Sequence, residues 1–336
     1  MTIHKRRLLI AVGLLLVSVT AGCQQTEPPS SDRFRDIVVY GFSTQEKVFT
    51  EEVFPAFQAD WRRQTGQEVS FQSFFGGSEE LTEAILSGAR TDVAILSNEQ
   101  HALWLQVNDL VETDWHTFPQ KGVVTRSPLV IVVRPGNPLS IKDWTDLARP
   151  GVKVIHPDPR SSGGAQWALL AEYGSALLST GGSAQVAEAQ LQTIWANVVA
   201  TPASSRDALK QFMFGAGDAM ITYEQDALLA QARGAALKIV MPRSTIMSEH
   251  VVVIVDRNVK ASDREMVRTF VEFLWSEIAQ DAFTRYYFRA TTGQPLDDTV
   301  EQFHEIQQPF TVHDLGGWGQ AYAEIVHTAW EEHVIE

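Results

Sequence analysis

From Asp36 onward, apolar runs of strand length alternate with longer segments whose apolar residues recur every three to four positions. "DIVVYGF" (36–42), "EVSFQSF" (68–74), "TDVAILS" (91–97), "LVIVVRPGN" (129–137), "VKVIHPD" (152–158), "DAMITYE" (218–224) and "HVVVIVD" (250–256) read as strands. Residues 48–65 read as a helix stopped by Gly66, and "SEELTEAILSG" (78–88) as a second helix stopped by Gly88. Strands separated by helices predict an α/β protein with mainly parallel sheets covered on both faces. No fixed-period repeat and no second linker interrupts the pattern. If there are two lobes, the chain therefore crosses between them more than once.

The amino terminus differs. His4, Lys5, Arg6 and Arg7 precede a short apolar run, 8–19, and then "TAGC". This is the layout of a secretory signal, and the run is too short to span a membrane comfortably. "QQTEPPSSDR" then has the composition of a polar tether. Cys23 is the sole cysteine, so no disulfide can form within the chain, and the core must supply its stability. The site resembles the bacterial lipobox, in which the cysteine is lipidated and becomes the first mature residue, although Thr20 stands where leucine is usual. An ordinary cleavage site with an incidental cysteine is the alternative. With 27 Lys+Arg against 41 Asp+Glu the formal charge is −14; removing Lys5, Arg6 and Arg7 with an acid-free residues 1–22 takes it to −17. A chain this acidic, with no basic cluster beyond the signal, argues against nucleic-acid binding. An anionic ligand must be held by local geometry.

Two turns offer such geometry. "FFGGSEELTEAILSG" and "HPDPRSSGGAQWALLAEYG" each lead from a strand through Gly and Ser into a helix. Glycine costs about 1 kcal/mol in a helix relative to alanine, so a pair in a first turn calls for a reason. Free N–H groups and the macrodipole make a helix start an anion site, and glycine lets an oxyanion touch the backbone. Plain capping, with Ser162 as N-cap, is the alternative. In open α/β sheets ligands gather at the carboxyl ends of strands, where both turns lie.

The block "VVRPGNPLSIKDWTDLARPGVKVIHPDPRSSGGAQW" (132–167) resembles a segment of the periplasmic sulfate-binding proteins of ABC importers. "GGS" (76–78), "GAGDAMITYEQDALL" (215–229), "RYYFR" (285–289) and "FTVHDLGGWGQA" (310–321) are similar to further landmarks of that family, so the resemblance runs from about Asp36 to His333. It implies two type II α/β lobes, each a mainly parallel sheet covered by helices. A dehydrated oxyanion would lie in the cleft between them, held by neutral donors. By the same resemblance Ser78 matches the family's first site serine, and Ser162, Gly163 and Gly164 match the second helix start. Tyr223 aligns with the site tryptophan, and a residue near Ser204 aligns with a loop N–H donor. Sulfate accepts hydrogen bonds and donates none, so a donor-only pocket satisfies it, whereas hydrogen phosphate would leave its O–H unpaired.

Several positions depart from the family pattern. Tyr223 can accept as well as donate. "TPASSRD" (201–207) carries serines where glycines are usual, with Arg206 displaced by one position. Glu79 and Glu80 replace glycine and lysine; they read either as solvent-facing residues that complement the helix dipole or as acceptors of a ligand proton. In "YGFSTQE", Ser43 and Thr44 read as caps or as extra donors. No G-x-S-x-G, C-x-x-C, H-E-x-x-H or P-loop occurs, and no histidines stand four apart. His156 is the histidine nearest the proposed site and reads as structural. Trp104, Trp115, Trp144 and Trp195 are too dispersed for a sugar platform.

The expected organisation is a signal over 1–22, a tether over 23–35, one lobe of 36–125 plus 246–336 and another of 126–245. The expected function is non-enzymatic: an extracytoplasmic, monomeric, lipid-anchored receptor captures sulfate or thiosulfate and delivers it to an ABC importer permease, without metal or cofactor. A receptor for phosphate or molybdate, and a hydrolase using Ser162 with His156, are the alternatives.

Overall fold

The computed structural model describes residues 34–292 and 303–335; the expected signal, Cys23 and most of the tether lie outside the described residues. In chain order the chain forms β1 (Phe34–Phe42), α1 (Phe54–Thr65), β2 (Glu68–Gly76), α2 (Ser78–Leu86), β3 (Val93–Leu96), α3 (Glu99–Val107) and β4 (Val123–Val133). There follow β5 (Val154–Ile155), α4 (Gly163–Ser179), α5 (Ala184–Trp195), β6 (Val198–Ala200), α6 (Ser205–Met213), β7 (Ala219–Tyr223) and α7 (Glu224–Ala232). Next come β8 (Lys238–Val240), β9 (Ser244–Ile254), α8 (Arg264–Phe273), α9 (Glu277–Arg285) and β10 (Gln308–Phe310). The helix expected over 48–65 is interrupted. A π-turn, Phe49–Val53, precedes α1, whose Pro55 has no N–H to continue the ladder. Gly66 ends α1 in the left-handed conformation, φ 72°.

Among the described residues the strands form one ten-stranded sheet with the path β2-β1-β3-β9-β4-β7-β5-β6. β1 pairs parallel with β2 and β3, and β5 pairs parallel with β6 and β7. Two long antiparallel strands join these groups. Residues 123–128 of β4 pair with 247–251 of β9, while 129–133 pair with β7. The chain thus passes from one parallel group to the other inside β4, and back inside β9.

Both strands begin or end well outside the apolar runs that announced them. The added residues include Thr125, Ser127 and Ser248, polar yet buried, and His250, the first residue of the 250–256 run, is buried with them. They bond one another. Thr125 Oγ1 lies 2.8 Å from His250 Nδ1, Ser248 Oγ lies 3.1 Å from His250 Nε2, and Gln45 Nε2 donates to Thr125 at 3.1 Å. Burial pushes His250 down to about 3, so the ring stays neutral between its hydroxyl partners.

The parallel geometry places every strand-to-helix turn of one group at the same edge. β1 ends at Ser43–Thr44, β2 at Gly77–Ser78 and β3 at Ser97–Asn98. The other group presents 156–162 after β5, 201–204 after β6 and Tyr223 at the end of β7. α4 supports this edge from within, with residues 163–176 buried.

One carboxylate ties the end of β9 to the loop after α3. Asp256, 4% exposed, accepts from the N–H groups of Glu112 (2.9 Å) and Thr113 (2.8 Å), from Thr113 Oγ1 (2.9 Å) and from Arg264 (2.6 Å). Burial alone would raise its pKa, but these donors outweigh it and hold the carboxyl below the usual range. Because the folded-state pKa is depressed, its contribution is complete above the unfolded value of about 3.9 and fades as pH falls through the folded value. Asp256→Ala should cost about 3 kcal/mol at pH 7 and shrink that cost under acid, checked by urea denaturation at pH 7 and at pH 3.

Candidate functional site

At the shared strand edge, backbone approaches backbone more closely than side chains allow. A Cβ on Gly77 would overlap the carbonyl oxygen of Ser161 and lie 3.0 Å from that of Ala203. A Cβ on Gly163 would overlap Ser97 Oγ, and one on Gly164 would overlap Ser205 Oγ and lie 3.1 Å from the Tyr223 hydroxyl. Gly77, Gly163 and Gly164 are therefore there for space. Bonds cross the same gap: Glu80 N–H donates to Ser161 O at 3.2 Å, and Trp167 Nε1 to Ser97 O at 2.5 Å. The two turns face each other.

The first turns of α2 and α4 carry amides without acceptors. Among the described residues, the N–H groups of Ser78, Glu79, Gly163 and Gly164 have no hydrogen-bond partner, whereas Ala165 and Gln166 bond back to Ser162. Three buried hydroxyls nearby are equally unpaired: Thr44 Oγ1, Ser97 Oγ and the Tyr223 OH. Burial drives the Tyr223 pKa far upward, so the phenol keeps its proton at neutral pH. Asp226, one turn into α7, is pushed up to about 6 by burial, with Arg206 acting the other way. Arg206 itself is paired with Glu46. What the corner offers is a set of neutral donors backed by helix N-termini, suited to a small anion and, among the described residues, without a free cation to bind it.

The expected residues fall into different roles. Gly163, Gly164 and Tyr223 line the corner directly. Ser162 is the N-cap of α4, its Oγ accepting from Ala165 N–H at 3.3 Å. Capping thus coexists with the unpaired amides of Gly163 and Gly164 in the same turn. Ser204 caps α6, and its hydroxyl donates to Asp207 at 2.8 Å while accepting from Asp207 N–H, so the neighbour Ser205 is the serine that faces Gly164. The Ser78 hydroxyl is engaged too, 3.0 Å from His101 Nδ1 and accepting from Ser97 N–H at 3.1 Å. The solvent-facing reading holds for Glu80 but not for Glu79. Glu79 is 8% exposed, with Oε2 at 2.7 Å from His101 Nε2 and 2.6 Å from Gln166 Nε2.

Ser97, Asn98, His101, Gln166 and Ser205 were absent from the sequence reading. The stretch "SNEQH" directly after the β3 run is a helix start at a strand end, the same signal used for the two glycine turns, but without glycines to draw attention to it.

His156 gives Ser162 no base. Its Nδ1 lies 2.6 Å from Pro157 O and its Nε2 stands 4.0 Å from Glu172, deep under α4, while Ser162 Oγ bonds only within its own turn. The arrangement that the hydrolase alternative requires is therefore not formed.

The family profile described as bacterial extracellular solute-binding protein matches residues 37–289. The chain belongs to that family. A sulfate-binding protein of Synechococcus elongatus is 31% identical over 319 residues, covering 94% of this chain and 91% of its own. A sulfate-binding protein of Escherichia coli is 32% identical over 284 residues, covering 82% and 85%. Among solved structures, the sulfate-binding protein SubI from Mycobacterium tuberculosis H37Rv has a TM-score of 0.79 at 29% identity, covering 86% of this chain and 99% of that one. The α/β fold with its crossing strands is accordingly that of the type II periplasmic binding proteins.

Behind the corner of this solute-binding protein, Glu172 is fully buried with both oxygens unpaired, and burial raises its pKa well above the usual carboxyl value. His156 is lowered to about 4 by burial. A raised acid pKa means that the folded state binds the extra proton, so stability falls as pH climbs above about 4.3; His156 contributes the opposite slope, but only up to about 6.5. Glu172→Gln should gain on the wild type as pH rises above about 4.3, by at most about 1.4 kcal/mol per pH unit, in denaturation curves taken from about pH 5 to 9.

Proposed function

We propose that this solute-binding protein captures sulfate or thiosulfate outside the cytoplasm and delivers it to an ABC importer permease. The observation that carries the reading is the meeting of unpaired amides at Ser78, Gly163 and Gly164 with the unpaired hydroxyls of Ser97, Tyr223 and Thr44. An anion that only accepts hydrogen bonds satisfies all of these at once. Each buried donor left unmet costs about 1–3 kcal/mol, which an anion accepting from it removes. The names of the Synechococcus and Escherichia relatives point to the same ligand.

In this reading the ligand-binding set is Ser78, Glu79 and Ser97 on one side and Ser162, Gly163, Gly164, Ser205 and Tyr223 on the other. Ser204 serves by capping α6. The lobes are 36–125 plus 246–336 and 126–245, with the boundary inside β4 and β9. The paired antiparallel strands act as the hinge, so that closing brings α2 against α4. The protein works as a monomer, tethered by a lipid on Cys23, and presents its closed face to the permease. It performs no chemistry on the ligand.

Calorimetric titration with sulfate, thiosulfate, phosphate and molybdate tests this. Sulfate or thiosulfate should bind at a single site at least about tenfold tighter than phosphate, the ratio expected for one unpaired polar group. Gly163→Ala should weaken binding by more than about tenfold through the overlap with Ser97. Phosphate binding tightest, with that preference lost in Glu79→Gln, would replace sulfate by a protonated oxyanion as the ligand.

A further inference from the structure

The contacts of Ser78 settle which protons it has to give. His101 N–H donates to Asn98 Oδ1 (3.3 Å), which turns Asn98 Nδ2 toward Gln166 Oε1 (2.8 Å). Gln166 therefore presents its Nε2 donor to Glu79 Oε2. That oxygen accepts, so His101 Nε2, 2.7 Å away, carries a hydrogen. At the far side of the ring, Nδ1 faces Ser78 Oγ, which already accepts from Ser97 N–H.

Two states follow. With His101 neutral, Nδ1 is an acceptor and consumes the Ser78 O–H, leaving the hydroxyl nothing to donate to an anion. The corner then also carries the unneutralised charge of Glu79. With His101 protonated, Nδ1–H donates to Ser78 Oγ, the Ser78 O–H is released, and the imidazolium neutralises Glu79. An incoming dianion favours the second state twice over, through a new donor and through charge.

Building on the receptor reading, we infer that His101 and Glu79 form a proton-balancing pair behind Ser78, so that each tetraoxo dianion bound draws a proton onto His101. His101 is a positioning residue: it sets the direction of the Ser78 hydroxyl without touching the ligand. The groups around the ring leave it this role. Ser78 and Glu79 face it from α2, Ser97 and Asn98 from the end of β3, and Gly163 and Gln166 from α4. Trp104 packs on it at 5.4 Å between ring centroids, with Tyr322 beyond at 5.0 Å from Trp104. Burial and the nearby Glu79, Glu331 and Glu83 keep the Tyr322 phenol protonated. Among the described residues, Glu79 makes no ion pair with any lysine or arginine, so His101 is its counter-charge. The departure from the family pattern at Glu79 thereby acquires a purpose distinct from taking a proton off the ligand.

The test is calorimetric titration of the purified protein with sulfate at pH 8 in Tris and in HEPES, whose ionisation enthalpies differ. The apparent enthalpies should report uptake of a proton, approaching one per sulfate, and the affinity should fall up to about tenfold per pH unit above the histidine titration. His101→Gln should abolish both the uptake and the pH slope. Because that variant can fail to fold, nitrogen-15 shifts of the wild-type imidazoles serve as a second readout: sulfate should move the titration of one buried histidine upward by a unit or more. Tight sulfate binding with no proton uptake and an affinity flat from pH 6 to 9 would overturn the inference and leave the receptor reading standing. Absence of sulfate binding at every pH would overturn both.

Discussion

Main-chain N–H groups that lose water must find another acceptor, and the first turn of every helix has donors that the helix itself cannot satisfy. In this protein the rest of the site follows from that constraint. The first turns of α2 and α4 are brought face to face, and the amides of Ser78, Glu79, Gly163 and Gly164 are left without partners. Only glycine lets the surfaces approach this far, since a Cβ at 77, 163 or 164 would overlap its neighbour. The helix-forming penalty of those glycines is thus offset by the geometry they permit. A net charge of −14 fits the proposed site: attraction at long range is forgone, and short-range donors would select the anion.

Much of the fold was legible in the sequence because its strands are apolar on both faces. The parallel strands were announced by "DIVVYGF", "TDVAILS" and "DAMITYE", and their order along the chain predicted the α/β class. The crossing strands were only half legible. Their extra length carries Thr125, Ser127 and Ser248, which look like loop residues until they are seen bonding with His250 and with one another. Polar residues that satisfy each other inside a sheet leave no mark in a hydropathy pattern.

The site divides along the same line. Gly163, Gly164 and Ser162 stood out because a pair of glycines in a first helical turn is costly and calls for a reason. Ser97, Asn98 and His101 did not, since an ordinary helix start conceals them. Of the two readings open for Glu79 the solvent-facing one fails, although a carboxylate in a first turn is normally exposed; His101 and Gln166, 22 and 87 residues away in sequence, are what bury it. Neither partner could be assigned before the turns were in place. Ser204 and Ser205 show the limit of alignment by one residue: capping uses the first, and the corner sees the second.

The claim at the centre is that backbone amides at two facing helix starts replace water around the anion. Amide nitrogen-15 spectra recorded with and without sulfate test it most directly. The account predicts that the N–H signals of Ser78, Gly163 and Gly164 move strongly downfield and exchange with solvent far more slowly once sulfate is bound. Saturating sulfate that leaves those three amides unshifted and still exchanging freely, while residues elsewhere respond, would contradict it.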